Sequence, residues 1–339
     1  RSTPAVSDSS AILPRMLLAG DLGGTKTQLG LFRATKGRPE LLDVREYVTL
    51  DFPGLPAMVT TFLESVGVRP QEVEVACVGV AGPIIKQVAR LTNVPWAIDG
   101  REVMAATGIA HVWLLNDLVA MAYGVPALRQ DELFVLQAGE FDADGNACLM
   151  AAGTGLGQAI LVRQHGRLVP SPSEGGHGNF GPHGPREVAL LEFLTARYGR
   201  ATYEHIISGP GLVNLLRFTS DNRSPLFGSV ADEALPAAIS SRGLDRSDPQ
   251  CVEALQLFVS IYGSAAADLG LQCVATGGVY LGGGIPTRIL RAFEQPYFLD
   301  AFRNKPPMTP LVERMPVSLV LNRQTGLLGA AVYAATLAG

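Results

Sequence analysis

An aspartate, two glycines, a threonine and a lysine stand between two apolar runs in the stretch AGDLGGTKTQLGLF. Glycine backbone can approach an anion closely because there is no Cβ in the way, and successive N–H groups of a turn form an anion-binding nest. Thr25 adds a hydroxyl donor, and Lys26 adds a positive charge. The stretch therefore predicts a phosphate-binding turn at Gly23, Gly24, Thr25 and Lys26.

Asp21 opens the same stretch, although a bare carboxylate repels phosphate. The conflict disappears if Asp21 holds a hydrated Mg²⁺ ion that bridges to the phosphates. Magnesium at phosphate sites is bound in this way, through one or two carboxylates and several waters. We therefore predict that Asp21 is a metal ligand.

A second turn of the same kind occurs in MAAGTGLGQAILVR, where Gly153, Thr154 and Gly155 separate two apolar runs. Duplicated units that each bring one such turn to a shared cleft can hold the two ends of a phosphate chain. For either turn alone, a plain β-hairpin whose glycines only satisfy turn geometry is an equal alternative. The two turns together with Asp21 favour phosphate binding.

A third glycine cluster occurs in GGVYLGGGIPTRIL, which predicts a strand, a glycine turn and a helix with Pro286 near its start. Backbone at Gly283 and Gly284 would allow a flat adenine and its ribose to pack closely. The alternative is a strand-to-helix loop in which the glycines only provide flexibility.

The elements that must position these residues alternate between strands and helices. The first series predicts three strands, a helix, a strand and a short helix, in the stretches MLLAGDL, TKTQLGLFRA, LLDVREYVTL, GLPAMVTTFLESVG, VEVACVGVAG and REVMAATG. The strand HVWLLND leads into a second series. It has long helices over 185–198 and 251–271 and strands in LFVLQAG, ACLMAAGTGLGQAILVRQ, GGVYLGGG and PVSLVLN. This β-β-β-α-β-α order indicates an α/β protein.

Composition narrows the class of partner. The chain has 339 residues, enough for two or three domains, with 47% apolar residues and a formal net charge of −4. This balance lacks the basic excess that nucleic acids or anionic membranes attract, so we expect a small-molecule partner. The four cysteines form no CxxC pair, and no uncharged apolar run reaches the ~20 residues of a membrane-spanning helix. We expect reduced thiols in a cytoplasmic protein and a disordered polar tail over 1–15.

These motifs together resemble those of the ATP-dependent sugar kinases of the actin-like ATPase superfamily, and specifically the bacterial-type glucokinases. The resemblance covers nearly everything from Met16 to the C-terminus. It rests on the stretches DLGGTK, AGTGLG, GGVYLGGG, LLNDLVAMAYG, SEGGHGNFGP and ISGPGLVN. Other proteins share the glycine turns but not the last three stretches in this order.

The resemblance implies a two-lobed actin-like ATPase fold of the ribonuclease H-like type, with a duplicated βββαβα core and an interlobe cleft. The small domain is expected over 16–116 with the C-terminal helix 325–339, and the large domain over 117–324. A homodimer is a further expectation of the family. Metal-bound ATP would lie on the two glycine turns.

Asn116 and Asp117 end the apolar strand in LLND, so the strand delivers them to the carboxyl edge of the sheet, where open α/β sheets bind ligands. The resemblance makes Asp117 the general base, which accepts the proton of a sugar hydroxyl as that oxygen attacks the γ-phosphorus. A helix N-cap is the other role open to Asp117, because DLVAMAYG follows with helical spacing, and one residue could serve both roles.

The loop SEGGHGNFGP carries Glu174 and His177, whose side chains suit the paired hydroxyls of a sugar. Glu204, in TYEHIISGPG, matches another sugar-binding carboxylate of the glucokinases. Zinc at His177 is the alternative. The related repressor family has a cysteine-rich motif after its histidine, whereas this chain has GNFGPHGP, so we do not expect a metal there.

The predicted activity is transfer of the γ-phosphate of MgATP to the 6-hydroxyl of D-glucose. Kinases of fructose, mannose or an N-acetylhexosamine remain open as alternatives. A sugar-responsive repressor would need a helix-turn-helix before Asp21, where only a short polar tail stands. An actin- or chaperone-like ATPase would lack the polar residues of SEGGH and LLND.

Overall fold

A computed structural model describes residues 16–91 and 94–338. The predicted tail over 1–15 lies outside the described residues. The strands are β1 (Met16–Leu22), β2 (Lys26–Arg33), β3 (Glu40–Val48), β4 (Val73–Val80), β5 (Ile84–Ile85), β6 (Val88–Ala89), β7 (Ile98–Asp99), β8 (Val112–Asn116), β9 (Leu133–Gln137), β10 (Ala147–Ala152), β11 (Leu156–Gln164), β12 (Arg167–Ser173), β13 (Val279–Gly282) and β14 (Val317–Val320). The α-helices are α1 (Leu55–Val66), α2 (Gly100–Thr107), α3 (Asp117–Gly124), α4 (Gly184–Tyr198), α5 (Gly209–Thr219), α6 (Leu235–Leu244), α7 (Pro249–Cys273), α8 (Gly284–Arg288), α9 (Leu290–Phe293), α10 (Tyr297–Arg303), α11 (Thr309–Arg314) and α12 (Thr325–Leu337).

The described chain divides into two compact units, one made of residues 16–127 with 326–338 and the other of residues 128–325. These boundaries, after residues 127 and 325, differ from the ones predicted after residues 116 and 324. Helix α3 therefore belongs to the first unit, since its first turn packs on β4 rather than on the second sheet.

The first unit is built on a five-stranded sheet with the strand order β3-β2-β1-β4-β8. Strands β1, β2 and β3 pair in antiparallel fashion, whereas β4 pairs in parallel with both β1 and β8. Helix α1 buries Leu55, Met58 and Phe62 against this sheet at helical spacing. It ends at Gly67, which adopts φ +67°, the left-handed conformation that glycine tolerates at a helix C-terminus.

The second unit has a six-stranded sheet in the order β12-β11-β10-β13-β14-β9. Strands β12, β11 and β10 pair in antiparallel fashion. Strands β10, β13 and β14 pair in parallel, and β9 pairs with β14 in antiparallel fashion at the edge of the sheet. The strand order without β9 is thus the same as in the first unit. This unit also contains the larger apolar core, in which Tyr262, Phe293 and Phe298 contact one another.

Helix α7 is the centre of that core. Asp248 caps its N-terminus by accepting hydrogen bonds from the N–H groups of Gln250 (2.9 Å) and Cys251 (3.2 Å). Within the described residues it is the one helix long and apolar enough to cross a membrane, but 72% of its apolar window is buried against neighbouring elements. Helices α5, α6 and α10 pack around it.

The predicted strands and helices all occur, and the helices expected from Pro185 and Cys251 begin one and two residues earlier. Strand β12, the small sheet β5–β7 and the helices α5, α6, α9, α10 and α11 were not predicted. All four cysteines are free and buried, as expected from their apolar neighbours.

Candidate active site

The first glycine turn joins β1 to β2, and its backbone is closed by a hydrogen bond from Gly23 N–H to Lys26 O of 3.0 Å. Thr49 anchors it from a distance: the Thr49 hydroxyl donates to Gly23 O (2.8 Å), and the Thr49 N–H donates to Thr25 O (2.9 Å). The hydroxyls of Thr49 and Thr27, both fully buried, are 3.0 Å apart. Thr49 was not predicted, because it joins the turn only through the pairing of β2 with β3.

Lys26, which was predicted to contact the phosphates, has a carboxylate partner within the protein. Its ammonium forms an ion pair and hydrogen bond with Glu46 on β3, and both side chains are largely exposed. The hydrogen bond from Lys26 lowers the pKa of the Glu46 carboxyl. A phosphate contact by Lys26 therefore stays a prediction that requires this exposed pair to separate.

Asp21 lies at the carboxyl end of β1, in register with Gly79 on β4. A Cβ on Gly326, in the first turn of α12, would come within 3.0 Å of Asp21 Oδ2, so the glycine leaves room for this carboxylate. Burial, and second the negative charge of Asp117, raise the pKa of Asp21 from 3.8 to about 6. Two carboxylates thus share the same sheet edge within the first unit.

Asn116, not Asp117, is the N-cap of α3. Asn116 Oδ1 accepts hydrogen bonds from the N–H groups of Leu118 (3.0 Å) and Val119 (3.3 Å), and its Nδ2 donates to Gly82 O (3.2 Å). The capping alternative for Asp117 is therefore wrong. The sugar contact expected of Asn116 stays a prediction, and its amide already has these structural partners.

Asp117 is the first residue of α3, and its Oδ1 accepts a hydrogen bond of 2.8 Å from the Leu118 N–H. The helix starts close against β4 because that strand has a glycine there. A Cβ on Gly79 would lie 3.0 Å from Ala120 Cβ and 3.6 Å from Asp117 Cα. Gly79 therefore allows the first turn of α3 to pack this close to β4, and it was not predicted.

The second glycine turn joins β10 to β11, with a hydrogen bond of 2.9 Å from Gly153 N–H to Gly155 O. The N–H of Gly209, at the start of α5, donates to Gly153 O (2.8 Å) and ties the turn to that helix. A Cβ on Gly153 would meet no atom within 4 Å, and Thr154 is exposed. The turn therefore presents an open face in which an anion would find space.

Glu204 braces this turn. Its Oε2 accepts a hydrogen bond of 2.9 Å from the N–H of Leu156, and a Cβ on Gly155 would approach the same oxygen to 2.7 Å. Glu204 Oε1 lies 3.7 Å from His177 Nδ1, and His177 Nε2 lies 3.9 Å from Glu174 Oε2. The structure thus brings Glu174, His177 and Glu204 together, and one oxygen of Glu204 also holds the glycine turn.

The loop that carries Glu174 and His177 lies directly on the second turn. A Cβ on Gly176 would collide with Leu156 O, so the loop backbone can sit there only as glycine. The N–H of Glu204 donates to Gly176 O (2.9 Å), and the N–H of Tyr203 donates to Gly178 O (3.1 Å). Backbone pairing therefore holds the two segments that carry the three polar side chains next to each other.

The third glycine cluster has two different roles. Gly283 adopts φ +89°, and a Cβ on it would collide with Ala152 O at the end of β10. Packing alone therefore requires this glycine. A Cβ on Gly284, the first residue of α8, would meet no atom within 4 Å. An adenosine contact stays a prediction at both positions, and only Gly284 borders open space.

Asp21 and Asp117 suit a magnesium ion that takes most of its ligands from phosphates and water. No group of three or more histidine, cysteine, aspartate or glutamate side chains able to hold a metal occurs among the described residues. Burial, and second the charge of Asp117, raise the pKa of Asp21, and a cation would offset the negative charge of these two carboxylates. Mg²⁺ bound to phosphates needs one or two carboxylates and keeps several waters, which agrees with this donor set.

Comparison with solved structures defines the class of protein. A glucokinase from an Antarctic psychrotroph matches with a TM-score of 0.84 and 29% identity, covering 95% of this chain and 99% of that chain. A glucokinase from Balamuthia mandrillaris, solved in complex with glucose, matches with a TM-score of 0.75 and 25% identity, covering 97% and 95%. The mixed α/β fold is that of the sugar kinases.

Sequence comparison narrows the class to one family. The Glucokinase family model matches residues 18–337. The glucokinase of Trichormus variabilis is 37% identical over 342 residues, which cover 95% of this chain and 99% of that protein. The chain belongs to the glucokinase family.

Proposed function

We propose that this protein transfers the γ-phosphate of MgATP to the 6-hydroxyl of D-glucose, with Asp117 as the general base. Membership of the glucokinase family supports ATP and glucose as the two substrates. The observation that carries the mechanism is the start of α3: Asn116 is its N-cap, and the next residue, Asp117, places a carboxylate there whose Oδ1 also accepts from the Leu118 N–H (2.8 Å). Asp117 lies at the carboxyl end of β8, beside Asp21.

In the proposed reaction Asp117 accepts the proton of the 6-hydroxyl while that oxygen forms its bond to the γ-phosphorus. The bond between the γ-phosphorus and the bridging oxygen breaks, and ADP leaves with the electron pair. Asp21 would hold a Mg²⁺ ion that neutralises charge on the phosphates when bound. The N–H groups of Gly23 and Gly153 bond within their own turns, so those of Gly24, Thr25 and Thr154 would supply further positive potential to the phosphate oxygens, which is the main catalytic requirement of phosphoryl transfer.

Sugar recognition is proposed for Glu174, His177 and Glu204, with Asn116 and Asp117. The distances of 3.7 Å and 3.9 Å between His177 and the two glutamates support one hydrogen-bonding surface for neighbouring hydroxyls. Adenosine is proposed at Gly283 and Gly284. Thr25, Lys26, Gly24, Thr154 and Gly155 complete the proposed nucleotide contacts.

The finer architecture is also a proposal. We infer a duplicated βββαβα core in a two-lobed actin-like ATPase fold with an interlobe cleft. The common strand order of the two sheets, β3-β2-β1-β4-β8 and β12-β11-β10-β13-β14, supports this inference. Closure around the substrates would exclude water, which otherwise takes the γ-phosphate.

One assay tests the sugar assignment. Catalytic efficiency is measured for glucose, mannose, fructose, N-acetylglucosamine and N-acetylmannosamine with saturating MgATP. Glucose should be preferred, since a sugar that lacks one of the contacted hydroxyls leaves Glu174, His177 or Glu204 without a proposed hydrogen-bond partner. If fructose or an N-acetylated sugar is preferred by about tenfold or more, the protein is a kinase of that hexose, which is the second candidate function.

A further inference from the structure

A cavity of about 220 Å³ lies in the second unit, between the end of α6, the first half of α7, and α9 with the start of α10. Its buried apolar lining includes Leu255, Val259 and Ala292. Arg246 and Arg291 line it as well, and both are exposed. None of the residues proposed above for sugar, phosphate or adenosine binding lines this cavity.

The charges of the two arginines are not paired with any other described residue. Neither guanidinium makes a hydrogen bond, ion pair or ring contact with another described residue, whereas Arg186 in the same unit pairs with Glu253 at 2.7 Å. On another wall, Gln256 Nε2 donates a hydrogen bond of 2.8 Å to the hydroxyl of Tyr297. The cavity thus combines an apolar lining with two guanidinium groups open to an anion.

Arg246 also has an unusual backbone conformation. It follows the C-cap of α6 with φ +56°, the left-handed region where glycine is the common residue. The turn is closed by hydrogen bonds from Arg246 N–H to Gly243 O (3.3 Å) and from Ser247 N–H to Arg242 O (3.1 Å). A non-glycine side chain in this conformation strains the backbone, so replacing Arg246 by glycine should not lower stability.

We propose that this cavity is a second ligand site, which binds a small aromatic carboxylate. The carboxylate would lie between Arg246 and Arg291, and the ring would cover the apolar lining. A sugar phosphate fits poorly, since its hydroxyls would lie on Leu255 and Val259 without partners. The volume is below the roughly 300–1,000 Å³ of sites for drug-sized ligands, which matches a single ring.

Three probes test the ligand chemistry on the full chain: phenylacetate, its neutral amide phenylacetamide, and acetate, which lacks the ring. Titrations are followed by calorimetry and by saturation-transfer NMR in saturating MgATP and glucose. Phenylacetate should bind saturably, and each of the other two about tenfold or more weakly. Undetectable phenylacetate binding, equal binding of the amide or acetate, or displacement by MgATP or glucose would each overturn the proposal.

Two variants test the assignment of the residues. Arg246→Gly should weaken phenylacetate binding by about tenfold while the melting temperature stays equal or rises, because glycine relieves the left-handed backbone. A loss of binding accompanied by a gain in stability cannot come from unfolding. Arg291→Gln should weaken binding similarly, and Arg167→Gln, an exposed arginine outside the cavity, should bind as the wild type does. Wild-type affinity in both cavity variants would refute the site.

Discussion

Asp21 and Asp117 are paired like charges at one edge of the first sheet: burial, and second the charge of Asp117, raise the pKa of Asp21 to about 6. Strand pairing gives this arrangement, because β1 and β8 flank β4 and all three run parallel. The folded protein therefore holds negative charge that costs it stability. This loss of stability is explained by function if the two carboxylates bind a cation together with phosphates.

Replacing Asp21 by asparagine should stabilise the protein at high pH in the absence of metal and nucleotide. The folded pKa of about 6 lies above the ordinary 3.8, so the folded state binds the proton more tightly than the unfolded state does. The penalty is absent below pH ~4, grows as the pH rises, and is complete above pH ~7, where it amounts to at most about 3 kcal/mol. Urea unfolding in EDTA at pH 8 and at pH 4.5 measures the difference between Asp21→Asn and wild type.

Two further variants serve as a comparison and a control for the Asp21→Asn measurement. Asp117→Asn should remove the smaller part of the pH-dependent penalty, and Asp51→Asn, an exposed aspartate of the same unit, should change nothing. If Asp21→Asn is no more stable than wild type at pH 8, the two carboxylates are not held together as described.

Asp117→Asn should lower kcat by roughly 10²–10⁴ and leave glucose affinity within a few-fold, because the amide keeps the shape but cannot take the proton. Rapid-quench kinetics and direct glucose titration separate the two effects. Asn116→Ala serves for comparison, since loss of the cap costs about 1 kcal/mol of stability without removing the proposed base. Near-normal turnover in Asp117→Asn would remove Asp117 from the mechanism.

Gly153→Val should weaken the use of ATP, whereas Gly283→Ala should lower the stability of the fold. Open space surrounds the Cβ position of Gly153, so valine should leave the fold intact, raise KM for ATP and change KM for glucose much less. Gly283→Ala forces a methyl group against Ala152 O at φ +89° and should lower the melting temperature by several degrees. Equal rises in both KM values for Gly153→Val would show that the turn is only structural.

Glu204 should show two separable functions. Glu204→Gln can still accept the hydrogen bond from Leu156 N–H, so we expect it to raise KM for glucose more than KM for ATP. Glu204→Ala leaves that buried N–H without its partner, at ~1–3 kcal/mol, and should raise both constants and lower stability. Steady-state kinetics with each substrate varied, together with thermal unfolding, test this. Identical behaviour of the two variants would contradict a brace at the second turn.

The sequence by itself determined most of the sheet strands, the longest helices and the two glycine turns. Apolar alternation and helical spacing are local properties, and so are the glycines of each turn, so the strands around Gly23 and Gly153 could be predicted within a few residues. The motifs also led to the correct family. The helix start after LLND was predicted too, but assigning its cap required the backbone geometry that makes Asn116 the N-cap.

Tertiary structure decided which partners these side chains have. Thr49 reaches Gly23 through strand pairing, Lys26 contacts Glu46 across that same pair, and Glu204 holds Leu156 from 48 positions away. The pKa of Asp21 depends on a burial and a like charge that exist only once β1, β4 and β8 have assembled. Hydrogen bonds and charge interactions act over a few ångströms in space, so residues distant in the chain determine them, and a pattern read along the chain does not contain that information.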